Sequence, residues 1–488
     1  MASILFAQTY FYRFDEKQWR TAQPYPPYGT MYAAAYLREL GHQVSIFDTG
    51  LRESPDEIES AIKEFKPTYF VLYDDGFNYL SKMCLTRMRE AAYTMARLAH
   101  ESGCKVIISS SDSTDHFTEY LAQKIDYVIL GEAEITLAEL VNQLESGVDE
   151  LTKIDGIAAK NSSKEVFRTN SRPVLQNLDS LPDPAWDLID LEPYRAIWMQ
   201  NHGYFALNLA TTRGCPYKCN WCAKPIYGNR YNSRSPERVI DEIQILTERF
   251  GVHRFWMADD IFGLKPGWVQ RFRDLVKEKK LNFQYKIQSR VDLLLKEDTI
   301  DALAESGLRQ VWVGAESGSQ KILDAMDKGT KVEEIEKATR LLKSKGIEVC
   351  FFLQFGYLGE TRSDIDATIN MVEELMPDDI GISVSYPLPG TKFFEKVSAM
   401  LGEKQNWSVS DDLAVMYPAT FSPGFYKRLH RLVHKRFRLK QGLREWQNLF
   451  SSKRVNFRKA VKSFYYGPAA LIDTIRLKFL EGDSGGNR

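Results

Sequence analysis

Short apolar runs alternate with stretches of helical periodicity along most of the chain. In the first 150 residues the apolar runs fall at 3–7, 43–48, 69–73, 105–110 and 127–130, separated by amphipathic segments such as 31–40 and 136–144. Strand-length runs divided by helix-length ones predict βαβ units around a parallel sheet. Five such strands make a doubly wound domain over 1–150. Sheets of this kind bind ligands beyond the carboxyl ends of their strands, so 8–30, 74–78, 109–115 and 131–134 are candidate ligand loops.

Residues 151–195 lose the periodicity and carry Pro173, Pro182, Pro184 and Pro193, which predicts a linker over the surface. A second alternating series follows, with strands expected near 205–210, 254–257, 283–288, 310–314, 348–355 and 379–385. Six βα repeats over 196–400 suggest a partial (β/α)6 barrel rather than the eight-fold one. The stretch 401–488 differs again. Between Lys427 and Lys478 there are 15 Lys and Arg against two acids, Glu445 and Asp473. Apolar residues recur among them at helical spacing, giving a basic, amphipathic helical region.

Composition narrows the class. At 488 residues the chain is long enough for two or three domains. An apolar share of 44%, a charged share of 26% and a net charge of −1 fit a globular protein with no nucleic-acid partner. No apolar run approaches the roughly 18–20 residues that span a bilayer. The first eight residues read as a strand, not as a signal peptide. Of six cysteines, Cys84, Cys104 and Cys350 are isolated and three fall close together. That distribution points to a reducing cytoplasm and to metal binding rather than to disulfides.

The clustered thiols lie in Arg213-Gly214-Cys215-Pro216-Tyr217-Lys218-Cys219-Asn220-Trp221-Cys222. Thiolates suit soft metals, and three at spacings of four and three can wrap one cubane cluster from a single loop. Three ligands would leave one iron open, as a reactive site requires. A zinc site completed by a distant fourth ligand is the alternative, though structural zinc usually draws on a second Cys pair or a His pair nearby.

This loop, with Trp221 before the third cysteine and a strand just upstream, resembles the signature of the radical S-adenosylmethionine enzymes. The resemblance extends across the barrel: Met257-Ala258-Asp259-Asp260, Ser289-Arg290-Val291-Asp292, Gly314-Ala315-Glu316-Ser317-Gly318 and Phe355-Gly356-Tyr357-Leu358-Gly359-Glu360 follow successive strands. It implies a [4Fe–4S] cluster on Cys215, Cys219 and Cys222. It further implies S-adenosylmethionine bound near Trp221, Asp259, Arg290, Glu316, Ser317 and Gly356. Asp259 and Glu316 are alternatively helix caps. In this family an electron from the cluster cleaves the sulfonium C–S bond, and the 5′-deoxyadenosyl radical so formed abstracts hydrogen from unactivated carbon.

The N-terminal domain resembles the cobalamin-binding module of the B12-dependent members of that family, on Tyr25-Pro26-Pro27-Tyr28-Gly29-Thr30 and Gly131-Glu132-Ala133-Glu134. The resemblance implies a flavodoxin-like sheet holding cobalamin near Pro27, Gly29, Ser109, Ser110, Gly131 and Glu132. The Asp-x-His-x-x-Gly motif is missing, so a protein histidine on cobalt is not expected. Ser109-Ser110-Ser111-Asp112 replaces the usual glycines. The group resembled contains the anaerobic magnesium-protoporphyrin ester cyclases and the radical C-methyltransferases. It implies methyl transfer to an unactivated carbon of a small, apolar substrate, with flavodoxin or ferredoxin as electron donor. Oxidative cyclisation without methyl transfer is the alternative. Methylthiotransfer would need a second cluster that Cys84 and Cys104 alone cannot ligate. The basic tail is expected either to touch a membrane surface peripherally or to cover the barrel mouth. His430 and His434, one turn apart without an acidic partner, read as surface histidines.

Overall fold

The computed structural model describes all residues except 79–85, 148–149, 403–405, 409, 411–412, 449–455 and 484–488, so Cys84 lies outside the described residues. The chain divides into two compact units, one of residues 1–217, 223–287 and 406–412, the other of 218–222, 288–405 and 413–488.

The first unit is built on β1 (Ser3–Ala7), β2 (Gln43–Phe47), β3 (Tyr69–Tyr73), β4 (Lys105–Ser109) and β5 (Tyr127–Ile129), extended by β6 (Ile157–Lys160) and β7 (Val166–Arg168). The order is β2-β1-β3-β4-β5-β6-β7. The first five strands pair in parallel, as expected. Tyr-Phe-Val-Leu-Tyr of β3 is buried throughout, because helices cover both faces of such a sheet. The chain reverses between β1 and β3, so the loops after these strands meet where doubly wound sheets hold ligands. There Thr9 donates its amide to Asp74 Oδ1 at 2.6 Å and its hydroxyl to Oδ2 at 2.8 Å. Gly29 donates its amide to Asp75 Oδ1 at 3.1 Å.

Residues 151–195 are less of a linker than their prolines suggest. β6 and β7 form a hairpin that adds to β5 antiparallel, with Lys164 in the left-handed region at φ 64° in the turn. Each strand is only three or four residues long, too short for alternation to be read from sequence, and the hairpin blunts the open edge of β5.

The second sheet contains β8 (Leu207–Leu209), β11 (Arg254–Met257), β12 (Gln284–Ser289), β13 (Leu308–Glu316), β14 (Glu348–Phe355) and β15 (Asp379–Val384). A two-stranded ribbon of β9 (Thr212–Arg213) and β10 (Asn232–Ser233) stands apart. The larger sheet has the order β15-β14-β13-β12-β11-β8. Sequential parallel neighbours with intervening helices make the partial barrel that the six repeats predict. The register slips between Gly314 and Glu316, a bulge that re-aims the end of β13.

The basic tail forms two long helices, Pro423–Asn448 and Phe457–Asp483, which pack on each other. The first also lies on the Arg362–Leu375 helix, where Arg436 Nε meets Glu373 Oε1 at 2.5 Å.

Candidate active site

The cysteine loop leaves β9 through Gly214 and returns to β10, and the antiparallel pairing of these strands closes its base. Gly214 has φ 79°, and a Cβ there would stand 2.5 Å from the Arg230 carbonyl. Only glycine fits this turn. Cys215, Cys219 and Cys222 are half-buried and in no disulfide. Among the described residues no three His, Cys, Asp or Glu side chains converge as they would on a single metal ion; a cubane instead spreads its thiolates over separate irons.

In the first unit, Asp259 anchors the chain that leads into the loop. Its Oδ1 accepts the amides of Thr211 at 2.7 Å and Thr212 at 2.8 Å, and its Oδ2 accepts the Thr211 hydroxyl at 2.6 Å. Burial pushes this carboxyl up to about 6 despite those bonds. Asp259 is therefore no helix cap, and its hydrogen bonds are those of a residue that positions the β8–β9 bend.

Arg213, two residues before Cys215, is the other anchor. Its Nη1 lies 2.5 Å from Glu132 Oε1 and its Nη2 2.7 Å from Glu134 Oε1. The guanidinium also faces the rings of Tyr32, Phe77 and Tyr227 at 5.4–5.7 Å. Glu132 accepts the Leu175 amide through its other oxygen. Sequence reasoning assigned Glu132 to a cofactor; the structure commits both of its oxygens to protein donors.

A cavity opens at the carboxyl ends of β3, β4 and β5. Tyr73, Asp74, Gly76, Ser109, Ser110, Ser111, Gly131, Ile226 and Tyr227 line it. Three hydroxyl-bearing serines and two glycines suit close approach by a large polar ring system, and no histidine lines the cavity. At Gly76 a Cβ would sit 3.2 Å from the Tyr227 hydroxyl, and at Gly131 it would sit 3.5 Å from the Ile226 carbonyl. Burial pushes Asp74 up to about 7. Ser110 caps the short Ser111–Asp115 helix, accepting the Ser113 amide at 2.8 Å. Pro27 stands at the N-cap of the Tyr28–Glu39 helix, above the same strand ends as Gly29. A corrinoid held here would have no histidine ligand from the lining residues.

In the second unit, Arg290 Nη1 lies 3.9 Å from Cys219 Sγ and donates to the Lys328 carbonyl at 2.8 Å. Lys328 Nζ pairs with Glu316 Oε1 at 2.8 Å, both side chains being buried. Burial alone would push the Lys328 ammonium down, but Glu316 and the Cys219 thiol hold it above its usual value. Two cations thus stand close to one sulfur of the loop. Glu316 has φ 55° at the β13 bulge and caps no helix. Ser317 Oγ lies 3.0 Å from Thr368 Oγ1 and accepts the Ser319 amide at 3.1 Å. Gly356 donates to Glu360 Oε2 at 2.7 Å and accepts the Tyr417 hydroxyl at 2.5 Å. The Trp221 indole N–H is buried with no hydrogen-bond partner among the described residues.

Sequence reasoning missed Asn220. Its side chain donates to the Ala325 carbonyl at 2.8 Å and accepts the Tyr357 hydroxyl at 2.8 Å. Its amide and carbonyl bond Met326 and Phe393. With a further bond from its side-chain amide to Asp327 Oδ2 at 3.1 Å, five bonds on one residue between two cysteines hold the loop's shape. Lys328 was missed as well; its one sequence signal is a lysine between Asp327, at φ 52°, and Gly329.

Residues 209–372 match the radical SAM superfamily, and residues 20–141 match the B12 binding domain. The chain is a radical SAM enzyme with a B12-binding domain. The two matches bear out the expected cofactors: a [4Fe–4S] cluster, S-adenosylmethionine and cobalamin. An uncharacterised methyltransferase of Pyrococcus horikoshii is 29% identical over 92% of this radical SAM enzyme and 90% of the relative. The anaerobic magnesium-protoporphyrin IX monomethyl ester cyclase of Rubrivivax gelatinosus is 26% identical over 78% of the chain and 67% of its own length. The structure of the radical S-adenosylmethionine methyltransferase TsrM from Kitasatospora setae, with cobalamin and a [4Fe–4S] cluster bound, superposes with a TM-score of 0.67 at 19% identity. That superposition covers 82% of this chain and 75% of that one. No helix among the described residues is long and apolar enough to cross a membrane.

Proposed function

We propose that this radical SAM enzyme transfers a methyl group to an unactivated carbon of a small, apolar molecule. The observation that carries the reading is the cavity at the carboxyl ends of β3–β5, walled by Ile226 and Tyr227, which closely follow Cys222 in the chain. One short segment thus links the cysteine loop to the corrinoid cradle. The names of the P. horikoshii relative and of TsrM support the same reaction class.

In this reading residues 1–150 form the cobalamin-binding domain and 196–400 the barrel that holds the cluster. Cobalamin supplies a methyl carrier, and the cluster with S-adenosylmethionine supplies a carbon radical at the substrate. Cys215, Cys219 and Cys222 would hold the cluster. Arg290 and Lys328 would stand beside the cluster at Cys219. Trp221, Glu316, Ser317 and Gly356 would lie on the S-adenosylmethionine side, whereas Asp259 shapes the loop that presents the thiols. Ser109, Ser110, Gly131, Pro27 and Gly29 line the corrinoid side, and Glu132 acts there through Arg213. A one-electron donor such as flavodoxin or ferredoxin, in a reducing cytoplasm, completes the system.

The match to the magnesium-protoporphyrin cyclase over 78% of the chain favours a second reading, an oxidative cyclisation without methyl transfer. One experiment separates the two. The protein is reconstituted anaerobically with iron, sulfide and cobalamin, then given methyl-labelled S-adenosylmethionine and a reductant. Methyl transfer requires 5′-deoxyadenosine among the products and label on the corrinoid. 5′-Deoxyadenosine without labelled corrinoid would favour the cyclase reading.

A further inference from the structure

The helix Phe457–Asp483 is apolar on two faces. On one, Ala460, Ala470 and Leu477 are buried, and the neighbouring helix grips it through Trp446 Nε1, which donates to the Ala460 carbonyl at 2.9 Å. The other carries Phe457, Val461, Phe464, Leu471, Ile472, Ile475 and Phe479, all large and all exposed, up to 72% for Phe464 and 73% for Phe479. At 100° per residue these side chains fall on one face of the helix, so the stripe extends over about 33 Å of helix at 1.5 Å per residue. A water-facing surface this long and apolar marks an interaction site.

The charges beside it identify the partner. On the Pro423–Asn448 helix five of the eight cations are committed to protein carboxylates: Arg428 and Lys435 to Asp473, Arg436 and Lys440 to Glu373, Arg438 to Asp379. Arg458, Lys462, Arg476 and Lys478 have no ion pair to a described residue. At 100° per residue, Arg458, Lys462 and Arg476 fall along one border of the apolar stripe and Lys478 along the other. An apolar line bordered by cations complements an anionic lipid surface, with rings and branched chains at the acyl boundary and ammonium and guanidinium groups among the phosphates. The surface of a protein partner or a second copy of the chain would call for carboxylates at matching positions, whereas on the helix Asp473 is paired with Arg428 and Lys435 and Glu481 with Arg362.

We propose that this helix docks the enzyme peripherally on an anionic membrane, lying in the plane of the interface. The docking stands apart from the methyl-transfer reading, since it involves no residue of the cysteine loop or the corrinoid cavity.

The test is flotation of the purified full-length protein with vesicles of phosphatidylcholine alone and of phosphatidylcholine containing 30% phosphatidylglycerol. The expected result is capture by the anionic vesicles only, weakened at least tenfold by raised salt. Phe464→Glu with Phe479→Glu should abolish it, and Arg458→Ala, Lys462→Ala and Arg476→Ala together should weaken it at least tenfold. All five positions point to water, so circular dichroism and elution volume of the variants should match the parent. Equal binding to both vesicle types, or binding that survives the Phe464→Glu, Phe479→Glu variant, would overturn the proposal. So would a dimer that this variant converts to monomer without any vesicle capture by the parent.

Discussion

Arg213 Nη2 lies 2.7 Å from Glu134 Oε1, and the two side chains are only 4% and 3% exposed. This pair ties the loop after the fifth strand of the corrinoid sheet to the strand that enters the cysteine loop. A buried charge that loses its partner costs about 3–5 kcal/mol. Arg213→Met strands two carboxylates and should lower the thermal midpoint sharply, with poor retention of both cobalamin and iron. Glu134→Gln leaves Glu132 to face the guanidinium and should cost less. Thermal unfolding of the variants beside the parent ranks the two effects.

The Lys328–Glu316 pair should show the signature of a coupled buried ion pair. Lys328→Met and Glu316→Gln each leave an unmatched charge, while the double variant removes both. We expect the double variant to be more stable than the sum of the single losses implies, by about 1–3 kcal/mol. Denaturant unfolding of the four proteins closes the cycle. Strict additivity would mean that the pair contributes no interaction of its own.

Cluster assembly should depend on the loop thiols alone. Cys219→Ala should lose the visible absorbance and most of the bound iron after anaerobic reconstitution. Cys350→Ala should keep both, because Cys350 is fully buried within β14 and burial pushes its thiol far up. A cluster that survives Cys219→Ala unchanged would sink the ligand assignment.

Glu360 gives a pH dependence with a definite sign. Burial pushes its carboxyl from 4.5 up to about 8, the Gly356 amide opposing that shift, and its Oε1 is buried with no hydrogen-bond partner among the described residues. Between those values the folded protein holds a proton that the unfolded chain has released, so stability falls as pH rises from 4.5 to about 8 and levels off above. Each unit is worth about 1.4 kcal/mol. Glu360→Gln keeps an acceptor for Gly356 and cannot ionise. Its melting temperature should match the parent near pH 4.5 and exceed it at pH 9. Parallel curves for the two proteins would contradict this.

The strands of both sheets and the cysteine motif were legible in the sequence because each is local. β3, β11 and β14 declare themselves through contiguous apolar runs, and three thiols within eight residues share a loop whatever surrounds them. The edge hairpin 157–168 was not legible, since strands of three and four residues carry too little pattern. Nor were the partners of Arg213, Asn220 and Lys328, which lie tens to over a hundred residues away and become partners only because burial leaves no water to satisfy their polar groups. Asp259 and Glu132 were found by position and assigned to cofactors. The structure commits their oxygens to Thr211, Thr212, Arg213 and the Leu175 amide. The tail makes the same division. Its basic, amphipathic character is a property of the sequence, whereas packing of the two helices decided which apolar face is buried and which is left to the solvent.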